Sequence, residues 1–389
     1  MKKILVCSAD FDYGVTGAFH FARFILDIND ISDRYCVWLL TEDIVENSPQ
    51  RKENSLKMVR KVDIKYPSFL RPFIHYFRNW AYYRAIRRFQ KEQRVDAIIF
   101  NQAMFGVAAR LFLSKNIKIM GIIHDDHSLL TSRQSLPNFK SYIFYRYFQR
   151  PLEILAIHSL DIVFANSKYI EELILEKRRI PKKRVLKLYQ TVDVKAIAFV
   201  PQTWQYTEGA TIEVLFVKAG YVRGGLEDLI KALGAIGNYH FQLTIVGTTQ
   251  EAKAVIEEWA KPFQNLLLLL KGILPPNEVS NLMQTHHILC IPARKEALGL
   301  ANVEGLAHGI SVVTTRVGGI PEVLDNGQCG WLAEPNNPDS LADALRSCIE
   351  SPQSERTTKS LYGRNYVEKY FSKEVMLDNI IDILNESIK

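Results

Sequence analysis

The 389-residue sequence predicts an α/β protein with two Rossmann-like domains, each containing a parallel β-sheet covered by helices. Three observations support this fold class. The chain is too long for one ordinary hydrophobic core. Short apolar runs alternate with helical patterns from end to end. These runs are apolar at nearly every position, which is typical of strands that helices bury on both faces.

The first domain is predicted to span residues 1–200, with strands in KKILVCSA, YCVWLL, VDAIIF, IKIMGIIH and DIVFAN. A linker follows at 201–211. The second domain, residues 201–370, has strands in IEVLFVKAG, FQLTIVG, LLLLLKG, HILCIP and ISVVTT. We expect the final helix, about 371–389, to pack back on the first domain. Ligands should bind in a cleft at the carboxyl ends of the strands.

The formal charge of +7 is distributed unevenly along the chain. Residues 1–200 hold 33 Lys+Arg against 20 Asp+Glu, whereas residues 201–389 hold 16 against 22. Residues 71–94 combine seven basic residues with seven aromatic ones at helical spacing, and 140–151 repeat this chemistry. A basic amphipathic helix of this kind suits an anionic lipid surface or a lipid-diphosphate acceptor. No nucleic-acid module is visible, so we expect no nucleic-acid partner.

The compartment is predicted from what the sequence lacks. No apolar stretch is long enough to span a bilayer, and the first apolar run ends at Asp10, too early for a signal peptide. The five cysteines are scattered and form no CxxC pair, as expected in a reducing compartment. We therefore expect a cytoplasmic protein, peripheral at the inner face of the membrane.

Residues 291–324, IPARKEALGLANVEGLAHGISVVTTRVGGIPEVL, are the most informative segment. Glu296 and Glu304 flank Gly299 at a predicted strand-to-helix junction. The free amides and the positive dipole of a helix N-terminus suit a diphosphate. Glu304 can accept two hydrogen bonds from a ribose diol, and Glu296 can reach the hydroxyls of a sugar. Taken alone, two glutamates near a helix start could simply favour the dipole.

A second segment, KAGYVRGGLEDLI, follows the strand IEVLFV. Lys218 and Arg223 can clamp a diphosphate and stabilise the charge that develops as it leaves. Without a ligand to clamp, they would be two solvated cations at a strand end. Between ISVVTT and IPEVL, Gly318 and Gly319 permit close approach of the backbone to a ligand.

The segment around Glu296 and Glu304 resembles the E-x7-E signature, usually EGFGxxxxE, of the retaining GT-B glycosyltransferases of family 4. Pro292 before it and GGIPEV after it also match, while Ala297 and Leu298 replace the usual Gly and Phe. The resemblance covers most of the chain and is densest over 212–335.

The segment KAGYVRGG is similar to the GRLxxxKG of the same family. Lys218 then takes the family's arginine position and Arg223 its lysine position, while Val217 replaces a glycine. Both positive charges remain, with their identities exchanged.

This resemblance implies a GT-B fold and a nucleotide-diphosphate sugar as donor, with a UDP-sugar favoured. The second domain would bind the donor, and the first a glycan or lipid-linked acceptor. A hexose would be transferred with retention of configuration, the leaving diphosphate taking the acceptor proton. No cofactor and no metal would be required. A place in cell-surface polysaccharide or glycolipid synthesis follows from the same likeness.

The resemblance also assigns individual residues. His124, at the end of strand IKIMGII, would contact the transferred sugar and join Lys218, Arg223 and Glu296 as a catalytic residue. The residues expected to bind the donor through side chains or backbone are Gly14, Gly17, Leu274, Leu298, Gly299, Leu300, Ala301, Glu304, Gly318 and Gly319. In the ANS turn, Asn166 and Ser167 are expected to cap the next helix.

Two acidic segments are interpreted as non-metal sites. Adjacent side chains of IIHDDHS, residues 122–128, point to opposite faces of an extended segment and cannot readily converge on a metal. Asp10 and Asp12 look like a DxD motif but lie too near the N-terminus, and we interpret them as turn residues.

Two alternatives remain open from the sequence. The chain could be a non-catalytic GT-B protein that binds another glycosyltransferase, in which case it need not bind a nucleotide. It could also be a nucleotide-sugar epimerase, which would change a free nucleotide sugar without transferring it.

Overall fold

The structure, a computed structural model, describes residues 1–9, 17–42, 58–125 and 143–388, without the side chains of 17–20. It divides into two compact units, Met1–Thr191 with Lys373–Lys389, and Val192–Ser372. The division falls before residue 200 because the intervening segment is bonded into unit 2. The amide of Val192 donates to Phe371 O at 3.0 Å, and that of Val200 to His308 O at 3.0 Å.

Unit 1 is built around a parallel sheet of seven described strands in the order β3-β2-β1-β4-β5-β6-β7. The strands are β1 (Lys2–Ser8), β2 (Tyr35–Thr41), β3 (Val59–Lys61), β4 (Ala97–Phe100), β5 (Lys118–Ile123), β6 (Ile162–Ala165) and β7 (Val185–Lys187). The helices are α1 (Gly17–Phe24), α2 (Ile28–Ile31), α3 (Ile74–Glu92), α4 (Val107–Phe112), α5 (Arg150–Ser159) and α6 (Lys168–Arg178). Shorter turns are the 3-10 segments Ile25–Asp27, Ser68–Phe73, Ala103–Gly106 and Lys182–Arg184, and the π-helical Tyr145–Gln149.

Unit 2 contains a parallel sheet of six strands in the order β10-β9-β8-β11-β12-β13. The strands are β8 (Thr211–Val217), β9 (His240–Val246), β10 (Leu266–Gly272), β11 (Ile288–Ile291), β12 (Ser311–Thr315) and β13 (Trp331–Ala333). The helices are α7 (Leu226–Ala235), α8 (Lys253–Ala260), α9 (Pro276–Thr285), α10 (Leu300–His308), α11 (Ile320–Val323), α12 (Pro338–Glu350) and α13 (Gln353–Tyr370). Its 3-10 segments are Val194–Ala196, Gln250–Ala252 and Asp325–Gly327.

The last helix, α14 (Lys373–Ser387), contributes to the core of unit 1. Its buried residues Met376, Ile380 and Leu384 recur every four positions, so they form one apolar stripe. Lys2 Nζ donates to Ile388 O at 2.6 Å and ties the end of the chain to the start of β1.

Both sheets confirm the predicted Rossmann-like fold and reverse their strand order once. The reversal falls between β1 and β4 in unit 1 and between β8 and β11 in unit 2. At such a reversal, the loops that leave the two neighbouring strands diverge to opposite faces of the sheet and open a crevice at their carboxyl ends. We therefore expect the loops that bind ligands in each unit to lie at this reversal of strand order.

The predicted basic amphipathic helix corresponds to α3. Its buried residues Asn79, Tyr82, Ile86 and Phe89 repeat every three or four positions, so one face packs inward. Nowhere in the described ranges does a helix have both the length and the apolar character needed to cross a bilayer. All five cysteines are free thiols, and all except Cys36 are buried.

Candidate functional site

Two loops of unit 2 meet at the strand-order reversal. One follows β8 (residues 218–225) and the other follows β11 (residues 292–299). Arg223 Nε donates to Lys295 O at 2.9 Å, and Arg223 O accepts from the amide of Arg294 at 2.9 Å. Gly225 has a φ of +74°, and a Cβ there would lie 2.0 Å from Pro292 O. The glycine is therefore required for this close approach.

An ion pair closes the contact between the loops. Lys218 Nζ donates to Glu296 Oε2, with side chains that are 24% and 16% exposed. The other oxygen of the carboxylate, Oε1, accepts from the amide of Ala297 at 3.1 Å. The structure thus brings three of the predicted residues, Lys218, Arg223 and Glu296, into one place. The sequence assigned Lys218 and Glu296 to separate parts of a ligand; in this structure they bind each other.

Arg294 organises the same loop, and sequence reasoning missed it. Its Nε and Nη2 donate to the two carboxylate oxygens of Asp228 at 2.8 and 2.7 Å, and Nη2 also reaches Glu227 at 3.3 Å. Bidentate pairing fixes both the distance and the orientation of a guanidinium. It raises the pKa of Arg294, mainly through the Asp228 hydrogen bonds. Arg294 therefore fastens the Glu296 loop to the first turn of α7.

Helix α10 begins at the end of the Glu296 loop. Gly299 precedes it with a φ of +97°, and its carbonyl accepts from the amides of Asn302 and Val303 at 2.9 and 3.3 Å. Leu300 and Ala301 come earlier in the first turn, where amides have no intrahelical acceptor. The predicted donor amides of Leu300 and Ala301 thus lie at a helix N-terminus.

The two departures from the family motif are inside the protein. Ala297 and Leu298 are 3% and 1% exposed, so their side chains fill the interior of the loop. Their replacement of Gly and Phe therefore alters the packing inside the protein and removes no backbone amide.

The predicted glycine pair packs against this loop. Gly318 has a φ of +56°. A Cβ on Gly319 would lie 2.2 Å from Ala297 O, and the amide of Gly319 donates to Glu296 O at 3.4 Å. The sequence explained these glycines by ligand approach, whereas Gly319 is needed for the contact between the loops after β11 and β12.

Glu304 lies one turn into α10. Although the residue is only half-buried, the surrounding protein desolvates its carboxyl and raises the pKa to about 7. The backbone carbonyl of Glu304 accepts from His308 Nδ1 at 2.8 Å, and His308 Nε2 lies 2.6 Å from Ser280 Oγ. Glu304 is thus a carboxylate whose charge changes near neutral pH.

The loop after β9 also reaches this edge of the sheet. Gly247, with a φ of +98°, would place a Cβ 2.8 Å from both Lys218 C and Ala219 N. Its amide donates to Gly272 O at 2.7 Å. Leu274, the predicted contact of the nucleotide base, lies two residues after Gly272, between β10 and α9, and is half-buried. Gly247 was not identified from the sequence; its place directly after the strand FQLTIV was the available signal.

In unit 1, His124 follows β5 and both of its ring nitrogens are engaged. Nε2 lies 2.5 Å from Asn101 O and 3.0 Å from Asn101 Oδ1, and Nδ1 lies 2.9 Å from Gln190 Nε2. The side-chain nitrogen Nε2 of Gln190 can only donate, so His124 Nδ1 accepts and the ring proton sits on His124 Nε2. Burial lowers the His124 pKa to about 4, against opposing effects of the Asn101 hydrogen bond and Asp125. The ring is therefore neutral at physiological pH.

The remaining predicted positions of unit 1 are as follows. Gly14, with Asp10 and Asp12, lies outside the described residues, while Gly17 begins α1. Ser167 caps α6 as predicted, since its Oγ accepts from the amide of Ile170 at 3.1 Å. The predicted cap at Asn166 is wrong, because its Nδ2 donates instead to His124 O at 2.9 Å.

No three His, Cys, Asp or Glu side chains in the described ranges come close enough together to hold a metal ion. That the reaction needs no metal stays a prediction. Unit 2 offers two cations, Lys218 and Arg223, which bond to the loop that leads into the N-terminus of α10. The carboxylates of Glu296 and Glu304 lie in that loop and in α10. Such a set suits an anion that carries hydroxyl groups.

Models of glycosyltransferase families match both halves of the chain. The model of the family "Glycosyl transferases group 1" matches residues 205–365. The model "Glycosyltransferase Family 4" matches residues 37–196. The chain is therefore a glycosyltransferase enzyme with the GT-B fold. Within that class it belongs with the family 4-like glycosyltransferases, as its E-x7-E segment indicated.

Individual relatives are distant. The glycosyltransferase MJ1178 of Methanocaldococcus jannaschii is 26% identical over 77% of this chain and 79% of its own. The Anabaena protein Alr3699/HepE in complex with UDP-glucose has a TM-score of 0.70 at 15% identity, over 99% of this chain and 100% of its own. The lipopolysaccharide outer core galactosyltransferase WaaB has a TM-score of 0.71 at 15% identity, with 99% of each chain covered.

Proposed function

We propose that this glycosyltransferase moves a hexose from a nucleotide-diphosphate sugar, in the first place a UDP-sugar, to a glycan or lipid-linked acceptor. The observation that best supports this proposal is the Lys218–Glu296 ion pair. It lies at the strand-order reversal of unit 2 and just before the N-terminus of α10. In this proposal unit 2 binds the donor, with the diphosphate between Lys218, Arg223 and the amides of Leu300 and Ala301.

The ion pair would stabilise the site before the substrate binds. A partly buried cation without a partner is unfavourable, so Glu296 keeps Lys218 ordered and neutralised until an anion binds. When the diphosphate binds, Lys218 gains a second anionic partner. Glu296 can then turn part of its hydrogen-bonding capacity to a sugar hydroxyl while remaining fixed by the Ala297 amide.

The proposed transfer retains the anomeric configuration. The bond between the anomeric carbon and the diphosphate oxygen breaks, and the acceptor oxygen bonds the same carbon from the same face. The acceptor proton passes to the leaving diphosphate, so no protein general base is needed. Lys218, Arg223 and the helix amides stabilise the charge on the leaving group. Since His124 is held neutral, its contribution would be orientation of the sugar and not proton transfer.

The choice of donor and pathway rests on the comparisons. That Alr3699/HepE holds UDP-glucose makes UDP-glucose the first donor to test. The likeness to WaaB, a lipopolysaccharide outer core galactosyltransferase, supports an acceptor in cell-surface polysaccharide or glycolipid synthesis. The proposed location, at the cytoplasmic side of the membrane, rests on the sequence alone. Unit 1, which carries the positive charge of the chain, is the proposed acceptor domain.

The test is a screen of UDP-, GDP- and ADP-sugars, with and without candidate acceptors, in which mass spectrometry identifies the products. The proposal expects slow release of a nucleoside diphosphate from one donor and faster release when the acceptor becomes glycosylated. A changed free nucleotide sugar would indicate an epimerase instead. Failure of every nucleotide to bind would indicate a non-catalytic partner protein and contradict the proposal.

A further inference from the structure

Helix α3 of unit 1 presents an aromatic cluster to solvent. Trp80 on α3 stacks on Phe112 at the end of α4, with ring centroids 5.3 Å apart, and Tyr83 contacts both rings. Trp80, Leu111 and Phe112 are nevertheless 45%, 59% and 55% exposed. Large apolar side chains grouped on a surface in this way mark an interaction site.

A basic stripe continues from this cluster along the same helix. It consists of four exposed cations, Arg84, Arg87, Arg88 and Lys91. Positions 80, 84, 87 and 91 are three or four residues apart, so they share one face of α3, opposite the buried face. The only acid in α3 is its last residue, Glu92. Among the described residues, none of the four cations has an ion-pair partner.

We infer that the aromatic cluster and the basic stripe together form a docking face for an anionic lipid bilayer. The stripe would contact lipid phosphates, and the cluster would enter the boundary between headgroups and acyl chains, the arrangement of an interfacial helix. This inference deepens the proposed function, on which it rests in one respect: a membrane-borne acceptor gives the docking face its purpose.

Two other occupants fit the face less well. A second copy of the chain in a two-fold dimer would place the basic stripe against itself, cation against cation. Single-stranded nucleic acid would use aromatic rings as stacking platforms. Here Trp80 and Phe112 already stack on each other, and Leu111 offers no ring. A bilayer satisfies both the charge and the aliphatic surface.

Vesicle flotation without any donor or acceptor tests the docking face. The wild type is expected to float with phosphatidylcholine vesicles enriched in phosphatidylglycerol and to remain unbound with phosphatidylcholine alone. Each basic residue near an anionic surface contributes about fivefold to binding. The triple variant Arg84→Gln, Arg87→Gln, Arg88→Gln should therefore lose on the order of 100-fold. The pair Trp80→Ala, Phe112→Ala should lose about tenfold while keeping its charge.

A matched control removes the same charge elsewhere in unit 1. Lys168, Lys177 and Lys182 are exposed and each is paired with a glutamate on α6. The triple change of these lysines to Gln should alter vesicle binding by less than about twofold. An equal loss in the control would show that only net charge matters and would overturn the docking face.

Three further results would also overturn it: no binding of the wild type to anionic vesicles, binding of a single-stranded oligonucleotide in place of vesicles, or a concentration-dependent dimer that the Trp80→Ala, Phe112→Ala variant abolishes. UDP-glucose affinity is measured in parallel on every variant. The docking face lies outside the proposed donor site, so affinity should stay unchanged. If a variant loses vesicle binding but keeps donor binding, the result concerns the docking face alone. If the wild type does not bind the donor, the proposed function is contradicted and the docking face is not.

Discussion

Lys218 and Glu296 are 78 residues apart in the chain, yet Lys218 Nζ donates to Glu296 Oε2 where the loops after β8 and β11 meet. This ion pair joins the two segments that carry the family-like motifs, KAGYVRGG and KEALGLANVE. Its place at the strand-order reversal puts it where doubly wound sheets bind their ligands. The pair is therefore the most informative point at which to perturb the enzyme.

Replacing Lys218 by Ala should lower kcat by about 10²–10³-fold, because one donor to the leaving diphosphate is lost. Donor turnover is followed by release of the nucleoside diphosphate, and folding by circular dichroism. Lys253→Ala is the control, since Lys253 pairs with Glu257 on the surface of α8, at 50% and 53% exposure. If Lys218→Ala kept its rate, or if the control lost as much, Lys218 would have no special part in the reaction.

The affinity for UDP-glucose should depend on pH through Glu304. Its pKa is raised to about 7 by burial, so the carboxylate that accepts the ribose hydroxyls is mostly protonated at pH 6 and ionised at pH 8. The dissociation constant should thus fall about tenfold from pH 6 to pH 8. Calorimetric titration with UDP-glucose measures the dissociation constant. This ligand is suitable because its diphosphate is a diester and does not change its charge between pH 6 and pH 8. Glu304→Gln should bind UDP-glucose weakly at both pH values. If the dissociation constant of this variant still fell tenfold from pH 6 to pH 8, Glu304 would not be the group responsible.

Arg294→Met should loosen the Glu296 loop and destabilise unit 2. Asp228 is buried at 6% exposure and would lose its bidentate partner, which costs about 2 kcal/mol when the pair is partly exposed. Urea unfolding of unit 2 measures the loss. The double variant Arg294→Met, Asp228→Asn should recover part of the stability, since no unpaired charge remains, but not the rate. Equal rates in wild type and Arg294→Met would show that the loop does not need this anchor.

Gly319→Ala should disturb the site by a steric clash alone, because the residue has an ordinary φ of −84° and a Cβ would overlap Ala297 O. A loss of about 1–3 kcal/mol in unfolding free energy is expected, with a lower rate. Gly237 is the matched control: nothing lies within 4 Å of its Cβ position, so Gly237→Ala should be neutral or slightly stabilising. Indistinguishable melting temperatures for the two variants would contradict the packing described for the loops after β11 and β12.

The His124 ring should make unit 1 less stable in mild acid. Its pKa is about 4 when folded, whereas an unfolded histidine titrates near 6.5. Below pH 6.5 the unfolded chain therefore gains a proton that the folded chain refuses, and stability falls as the pH drops towards 4. Between pH 7 and pH 5 this group should remove about 2 kcal/mol. The His124→Gln variant should lack this loss of stability between pH 7 and pH 5. The pKa of His75 is also lowered to about 4, but His75 contributes equally to the wild type and to the variant.

The sequence predicted the fold because local apolar runs are a strong signal for buried strands. The edge strands β3, β7 and β13 were not predicted, since each has only three residues and their neighbours give no run. Lys218, Arg223 and Glu296 were predicted as site residues because they stand in recognisable motifs, and the structure brings the three together. Arg294, Asp228 and Gly247 were missed, because their importance comes from contacts between distant segments. The pairing of Gln190 with His124, 66 residues apart, was invisible for the same reason.

The most direct test of the central claim is a crystal structure of the enzyme with UDP. The proposal predicts the β-phosphate within about 3.5 Å of Lys218 Nζ and of the amides of Leu300 and Ala301, with the ribose hydroxyls on Glu304. Phosphates bound away from Lys218 and the N-terminus of α10, with the Lys218–Glu296 pair undisturbed, would contradict it.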